Sequence, residues 1–189
     1  LVAEVDLVGR DDHAARGDLV AHLLRAEVTL ALGDAPHLGC DVAEARVLEP
    51  MLNSYGGREA FHGRIATLKL FEDNSLVRKT LESPGEGRVL VIDGGGSLRC
   101  ALVGDQLAAL GVKNNWAGIV VYGCIRDSAA IDEMDIGVLA LDTHPLKSIK
   151  KNVGEAEIAV SFGGVTFVPG HYLYADEDGV LVSPTALLS

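Results

Sequence analysis

Cysteine is scarce in this sequence. The three cysteines, Cys40, Cys100 and Cys124, are widely spaced and form no CxxC or CxxH motif. An odd number of separated cysteines argues against a disulfide framework and against a zinc site, and it fits a reducing compartment such as the cytoplasm. Cys124 could act as a nucleophile, but no histidine lies near it in the sequence. A buried small apolar side chain is therefore the better interpretation.

Positive charge is also in short supply. The 189 residues include 16 Lys and Arg against 27 Asp and Glu, which gives a formal net charge of −11 at pH 7. Phosphate backbones and anionic membranes repel such a chain, and this disfavours direct binding to nucleic acid or to a membrane surface. We expect a small molecule or another protein as the partner.

Long hydrophobic runs are missing as well. No apolar run approaches the ~20 residues that a transmembrane helix needs. The sequence does not begin with Met, which suggests processing or truncation, and residues 1–27 lack the basic-then-apolar order of a signal peptide. The hydrophobic content of 48% nevertheless predicts one compact domain with an adequate core.

Residues 88–135 contain the chemistry that the sequence offers. The run VLVI at 89–92 is typical of a strand buried on both faces, and it ends at Asp93 and three glycines. A helix is expected next, with Asp105 at or near its N-cap. A second buried strand is expected over residues 118–122. The pattern predicts a β-loop-α-β unit with parallel strands.

Parallel strands joined by a crossover helix end at the same edge of a sheet. Asp105 would follow the first strand, and Arg126 and Asp127 the second, so the three side chains should share one crevice. An anion and a divalent metal would both find partners there. The structural alternative makes Asp105 a helix cap and Arg126–Asp127 a surface ion pair plus cap, and the spacing alone leaves both interpretations open.

The spacing of Asp105, twenty further residues and then Arg126-Asp127, together with VLVIDGGGSLRCALVGD, resembles a known family. That family contains the regulator of ribonuclease E activity A and the class II 4-hydroxy-4-methyl-2-oxoglutarate aldolases. The resemblance runs from about Val47 to Ser183, through YGGREAFHGRIATLKLFEDN, DIGVLAL and GGVTFVPGHYLYADEDGVLVS. It implies a single α/β domain of the swivelling β/β/α type, with a central parallel βαβ layer and additional antiparallel strands. It also implies a homotrimer or a dimer of trimers.

The resemblance further implies a divalent-metal-dependent aldolase that cleaves 4-hydroxy-4-methyl-2-oxoglutarate to pyruvate. Oxaloacetate decarboxylation would follow from the shared pyruvate enolate. Asp127 would bind Mg²⁺ or Mn²⁺, Asp105 would hold a metal-bound water, and Arg126 would stabilise the enolate. The substrate would be bound at the positive helix end and by the arginine, through Gly104, Asp105, Gln106, Leu107 and Arg126.

The competing implication is a non-enzymatic regulator that binds an RNase E-type endonuclease through protein contacts. Regulator-type relatives often lose the second acidic residue of the Arg-Asp pair, whereas this chain keeps Asp127. Ala130 departs from a frequent acidic residue of the family, and Asp132 and Glu133 lie nearby, so the general acid/base is left open. The family's older description as a menaquinone methyltransferase finds no support, because the sequence has no S-adenosylmethionine loop.

The N-terminal part of the chain falls outside the resemblance. Residues 1–28 are expected to be an extension, either mobile or helical, with a weak helical pattern over residues 18–32. Residues 29–189 would form the domain. By resemblance, Asp34 follows the family's N-terminal helix and could contribute to function.

The remaining segments complete the predicted sheet. A strand is expected over residues 63–71, then a helix opened by Asn74, which is expected to be a cap and, by resemblance, to line the pocket as well. A buried strand over 136–141 and short antiparallel strands after residue 158 follow. Lys69 and Lys113 are unsupported as Schiff-base lysines. A basic loop, either solvated or attractive to an anionic substrate, carries Lys147, Lys150 and Lys151.

Overall fold

The computed structural model describes residues 45–188. The predicted extension, the helix over 18–32 and Asp34 lie outside the described residues. The helices described are α1 Ser75–Leu81, α2 Asp105–Lys113 and α3 Ser128–Asp132. The strands described are β1 Arg46–Val47, β2 Asn53–Ser54, β3 Phe61–Lys69, β4 Val89–Asp93, β5 Ala101–Val103, β6 Gly118–Ile125, β7 Gly137–Thr143, β8 Glu155–Ala156, β9 Val160–Phe162, β10 Val165–Phe167, β11 Tyr172–Asp176 and β12 Gly179–Ser183.

The strands form one large mixed sheet in the order β1-β12-β11-β3-β4-β6-β7-β2. Its centre, β3-β4-β6-β7, is parallel, and the flanking strands β11, β12, β1 and β2 are antiparallel. Strands β9 and β10 form a separate antiparallel hairpin. The predicted α/β fold, with a parallel layer and added antiparallel strands, is confirmed.

Strand β4 shows why the central strands of the sheet have continuous apolar sequences. All five of its residues are buried. Leu90 and Ile92 face a core that includes Leu81 of α1 and Leu107 of α2. Its alternate residues pack in a second core against the β9–β10 hairpin, notably Phe162 and Phe167. The sheet is therefore covered by helices on one face and by a β layer on the other.

Two strands begin at glycines because an aromatic ring lies on them. A Cβ at Gly118 would lie 2.3 Å from Phe61 Cδ2, and one at Gly137 would lie 2.0 Å from Phe61 Cδ1. The Phe61 ring is 3% exposed. These starting positions of β6 and β7 exclude any side chain.

The predicted β-loop-α-β unit omitted one element. The three-residue strand β5 lies between β4 and α2 and pairs in parallel with the end of β6, with Ala101 opposite Cys124. Strand β6 runs to Ile125, beyond its expected end at residue 122. Asp105 thus follows β5 rather than β4, and β5 is the immediate neighbour of the strand that precedes Arg126. Within residues 45–188 no helix has the length and apolar character needed to cross a bilayer.

Candidate active site

A cavity of about 730 Å³ opens where β5 and β6 end. It brings together residues from four parts of the chain: α1, the β5–α2 turn, the end of β6 and the segment after β7. Its lining residues are Asn74, Arg78, Ala101, Val103, Gly104, Asp105, Gln106, Leu107, Arg126, Leu146, Lys147, Ser148, Ile149 and Lys150. The predicted substrate-binding residues Gly104, Asp105, Gln106, Leu107 and Arg126 are all among them.

Gly104 joins the two halves of the site. The backbone N–H of Arg126 donates to the Val103 carbonyl over 2.9 Å, which fixes the end of β6 beside the β5–α2 turn. A Cβ at Gly104 would lie 2.9 Å from Asp127 Oδ2 and 3.0 Å from Arg126 Nε. The absence of a side chain at this position therefore lets Arg126 and Asp127 lie against the start of α2.

Arg126 and Asp127 form an ion pair, with Nε 3.3 Å from Oδ2, and about a third of each side chain is exposed. Asp127 precedes α3 with φ 59°, a left-handed conformation that few residues other than glycine adopt. Its carbonyl accepts the N–H groups of Ala130 and Ile131, but its carboxylate makes no cap hydrogen bond. The ion pair of the structural alternative is thus present, and the side-chain cap is not.

Asp105 is the first residue of α2, and Gly104 occupies the N-cap position. The Asp105 Oδ1 atom accepts the N–H of Gln106 over 2.7 Å. The Leu107 N–H donates to the Gly104 carbonyl over 3.0 Å. Two of the amides predicted to receive the substrate carboxylate, those of Gln106 and Leu107, are therefore engaged within the protein.

Asn74 occupies the N-cap position of α1, as predicted, but its side chain makes no capping hydrogen bond. Asn74 Nδ2 instead donates to the Leu102 carbonyl over 3.1 Å, across to β5. The Ser75 N–H is accepted by Asp73 Oδ1 at 2.8 Å. Asn74 lines the cavity, as the resemblance implied.

The sequence left the role of the basic loop open. In the structure the loop lies at the site. Lys147 and Lys150 line the cavity together with Arg78 of α1. The available signal was a cluster of lysines in an acidic chain, which does not by itself show which face the lysines occupy. Sequence reasoning missed Arg78 altogether, because its helical position carries no distinguishing motif.

Other candidate groups are unsuited to catalysis in this arrangement. Cys124 is 1% exposed, and burial raises the pKa of its thiol, with Asp142 adding to the effect. That agrees with the expected small apolar role. Lys69 and Lys113 are exposed, which does not provide the buried setting that a Schiff-base lysine needs. Asp132 and Glu133 are exposed at the end of α3.

Among residues 45–188 no three His, Cys, Asp or Glu side chains lie close enough to bind a metal ion together. Mg²⁺ usually takes only one or two protein carboxylates and completes its octahedron with water and substrate oxygens. The carboxylates of Asp127 and Asp105 are hard oxygen donors of that kind. Both side chains are partly exposed and lie next to Gly104. In the chemistry of their donor atoms, these two side chains are of the kind that Mg²⁺ or Mn²⁺ takes from a protein.

Asp105 and Arg126 line the cavity, whereas Asp127 is not among the lining residues and lies beside it, paired with Arg126. A sheet with a parallel centre, a helical face and such a crevice defines a class of α/β protein with a ligand site at its strand ends. Residues 34–182 match the RraA-like family, described as Aldolase/RraA. The chain belongs to this family.

Individual relatives carry three different descriptions. A protein of Aromatoleum aromaticum (strain DSM 19018 / LMG 30748 / EbN1), named "Putative 4-hydroxy-4-methyl-2-oxoglutarate aldolase", is 70% identical over 151 residues, which cover 79% of this chain and 95% of that protein. A structure described as S-adenosylmethionine: 2-dimethylmenaquinone methyltransferase of Geobacillus kaustophilus HTA426 is 49% identical (TM-score 0.75), with 78% of this chain and 91% of that chain covered. The RNA-processing inhibitor RraA from Thermus thermophilis is 48% identical (TM-score 0.74), with 75% of this chain and 87% of that chain covered.

Proposed function

We propose that the protein is a divalent-metal-dependent aldolase that cleaves 4-hydroxy-4-methyl-2-oxoglutarate to pyruvate. The observation that carries the proposal is that Asp105 and Arg126 line one cavity and that Asp127 is paired with Arg126 next to it. The name of the 70% identical relative supports the same substrate. A cavity of about 730 Å³ has room for a small dicarboxylic acid.

In the cleavage, the bond between C3 and C4 breaks and its electron pair moves into the enolate of one pyruvate. The proton of the C4 hydroxyl leaves to a base, and C4 becomes the ketone of the second pyruvate. The enolate then takes up a proton at C3, from that base or from water, and the first pyruvate is complete. Asp127 would hold a Mg²⁺ or Mn²⁺ ion, with Asp105 nearby. The ion would polarise the keto and carboxylate oxygens of the substrate. Arg126 carries a permanent positive charge toward the enolate oxygen.

Asp105 has two roles in this proposal. Its carboxylate orients water at the site. It also competes with the substrate carboxylate for the N–H of Gln106, which donates a hydrogen bond to Asp105 in this structure. Binding of the substrate at the start of α2 then frees Asp105 for proton transfer, directly or through a water. The coupling would link substrate binding to the availability of the base.

Oxaloacetate decarboxylation is proposed as a second activity of the same site. Loss of CO₂ from oxaloacetate gives the same pyruvate enolate as the aldol cleavage. A site that stabilises this enolate should therefore accelerate both reactions.

The first experiment is a lactate-dehydrogenase-coupled pyruvate assay with Mg²⁺ or Mn²⁺ and with EDTA. Arg126→Ala should lower both activities by a similar factor, on the order of 10²-fold, since it removes an oxyanion-stabilising group. Arg64→Ala, an exposed arginine of β3 that stacks over Tyr172, is the matched control and should retain activity. Unequal losses in the two reactions would contradict a shared enolate.

Asp127→Ala should abolish turnover and its dependence on metal. Asp178→Ala removes an exposed carboxylate in the β11–β12 turn and serves as the control. Metal-independent pyruvate formation by the unmodified protein, or undiminished activity in Asp127→Ala, would refute the proposed mechanism.

A homotrimer, or a dimer of trimers, is proposed as the assembly. Large apolar side chains near the cavity are exposed, including Ile149 at 71% and Leu146 at 60%, and a subunit boundary would cover them. Light scattering at micromolar concentration checks the assembly, and a monomer alone would contradict it.

A second candidate function is regulation of an RNase E-type endonuclease through protein contacts. It is favoured by the 48% identity to a Thermus protein described as an RNA-processing inhibitor. The net charge of −11 fits contact with a protein rather than with RNA. Capture of the endonuclease that survives both EDTA and Asp127→Ala, without turnover of any oxo acid, would favour this function over the aldolase.

A further inference from the structure

The connection between β4 and β5 contains the glycines at positions 94–96, and the proposed chemistry gives it no role. Gly95 and Gly96 have positive φ angles, of 66° and 67°, which turn the chain away from the end of β4. A Cβ at Gly95 would lie 2.9 Å from Phe71 Cδ2, so the absence of a side chain lets this turn pack on the Phe71 ring. The connection therefore lies against the segment between β3 and α1.

Glu72 binds the next part of the same connection. Its Oε1 atom accepts the Ser97 hydroxyl at 2.7 Å and the Arg99 Nε–H at 2.7 Å, and Arg99 Nη2 lies 2.6 Å from the same oxygen. The Ser97 hydroxyl in turn accepts the backbone N–H of Arg99 over 3.3 Å. Donors from two side chains therefore converge on one carboxylate oxygen, just before β5 begins.

The backbone and the charge of Glu72 are both suited to a permanent contact. Glu72 has φ 54°, a left-handed conformation that costs free energy in a non-glycine residue and persists where surrounding contacts hold it. Hydrogen bonds from Ser97 and Arg99 lower the pKa of the Glu72 carboxyl. The Glu72 side chain is 23% exposed, against 72% for Arg99. Glu72 is therefore the inner, ionised partner of the contact.

Strand β5 depends on such contacts because it is short and irregularly paired. It has three residues, and its register with β6 shifts between Ala101 and Val103. A strand of this length has few ladder hydrogen bonds to define its position. A side-chain contact comes from Asn74 Nδ2, which donates to the Leu102 carbonyl over 3.1 Å. Gly104 follows β5 directly, so a shift of β5 moves the turn that forms half of the site.

We propose that Glu72 is a positioning residue for the cleavage: its contact with Arg99 fixes β5, and thereby the distance between Asp105 and the end of β6. The role rests on the proposed function, in which Asp105 acts together with Arg126 and Asp127. Glu72 is not among the residues that line the cavity, so it acts through β5 rather than on the substrate. Displacement of β5 by up to about 1 Å would lower the rate without removing a reacting group.

Comparison of kcat with Mn²⁺ affinity tests the role. Glu72→Ala should lower kcat for pyruvate formation about tenfold or more, the scale expected for a displaced catalytic group. The Mn²⁺ affinity, measured by electron paramagnetic resonance of the free ion, should stay within about threefold, because Asp127 follows β6, which β4 and β7 hold on both sides. An unchanged kcat, or equal losses in kcat and Mn²⁺ affinity, would overturn the positioning role.

Glu86→Ala is the matched control. Glu86 also has φ 54°, is exposed and lies at the opposite end of β4, so the variant makes the same substitution on the same backbone conformation and should keep its kcat. Glu72→Gln retains an oxygen for Ser97 and Arg99 and should recover at least about threefold of the loss. A similar loss in Glu86→Ala, or a glutamine variant as impaired as Glu72→Ala, would show an effect of charge rather than of the contact and would overturn the role.

Arg99→Ala tests the same contact from its other side. Arg99 is 72% exposed, so this variant should fold even if Glu72→Ala does not. It should lose about threefold or more in kcat, and Glu72→Ala/Arg99→Ala should have the kcat of Glu72→Ala, because residues that act through one contact are not additive. An undiminished kcat in Arg99→Ala, or losses that multiply in the double variant, would contradict the proposal.

Hydrogen exchange of the protein without metal or substrate provides a measurement that does not depend on turnover. The amides of residues 99–103 should exchange faster in Glu72→Ala and at the original rate in Glu86→Ala. Unchanged exchange in Glu72→Ala would overturn the role. Absence of turnover in the unmodified protein would refute the aldolase, and the exchange rates alone would then decide whether Glu72 fixes β5. Turnover with an undiminished kcat in Glu72→Ala would keep the aldolase and refute the positioning role.

Discussion

Gly104→Ala should separate catalytic geometry from folding at this site. The new Cβ would lie 2.9 Å from Asp127 Oδ2 and 3.0 Å from Arg126 Nε, and comfortable carbon–oxygen contacts begin at about 3.3 Å. The two side chains must therefore move by roughly 0.5 Å or rotate away. They are partly exposed and flexible, so they can do so at little cost.

The expected loss in kcat/KM is about 10- to 100-fold, because misplacement by a fraction of an ångström to 1 Å has effects of that size. Stability should change by less than about 1 kcal/mol, since φ −135° at Gly104 is open to alanine and the variant reduces the entropy of the unfolded chain. The coupled pyruvate assay and a denaturant titration measure the two quantities. Full activity at unchanged stability would refute the role assigned to the Gly104 contact.

Three further predictions follow from the described contacts. Asp105→Asn keeps an oxygen that can accept the Gln106 N–H but loses the negative charge. Pyruvate formation should therefore fall about tenfold or more while the thermal stability stays unchanged. Retained activity would favour a purely structural role for Asp105. Gly137→Ala should destabilise the fold by about 1–3 kcal/mol or more in urea titration, because its Cβ meets the buried Phe61 ring. Asp73 has a folded-state pKa of about 2 against an ordinary 3.8. Its carboxylate therefore contributes about 2 kcal/mol to the free energy of unfolding above pH ~4, and this contribution is lost as the pH falls toward 2. Acid unfolding of Asp73→Asn should lack this loss of stability.

Sequence patterns predicted the centre of the fold well, because β4 and β6 are buried on both faces and appear as unbroken apolar runs. They missed β5, since three residues provide too short a pattern to distinguish a strand from a loop. They also assigned the α1 cap to Asn74, whereas Asp73 makes the bond to Ser75. Two adjacent residues of similar capping propensity cannot be separated without the backbone geometry.

The candidate site, like the fold, was predicted from the sequence only in part. The spacing of Asp105 and Arg126 predicted one crevice, because parallel strands end at a common edge, and both residues line the cavity. The sequence left open whether Lys147 and Lys150 face solvent or the site, and the structure places both on the cavity. The backbone next to them is bonded to Asp73, which accepts the amides of Lys151 and Val153 and is far from them in the sequence, so this placement has no local sequence pattern.

The left-handed backbone of Asp127 has a consequence for substitution at this position. A non-glycine residue in that conformation costs roughly 1 kcal/mol, although aspartate tolerates it better than most, and glycine or asparagine would relieve part of it. Replacement by glycine or asparagine would therefore recover part of that cost, against the loss of a partly exposed ion pair with Arg126, which stabilises little. A chain with either of these residues at position 127 keeps the fold without the carboxylate, so the chemistry of this side chain and the stability of the fold can change independently.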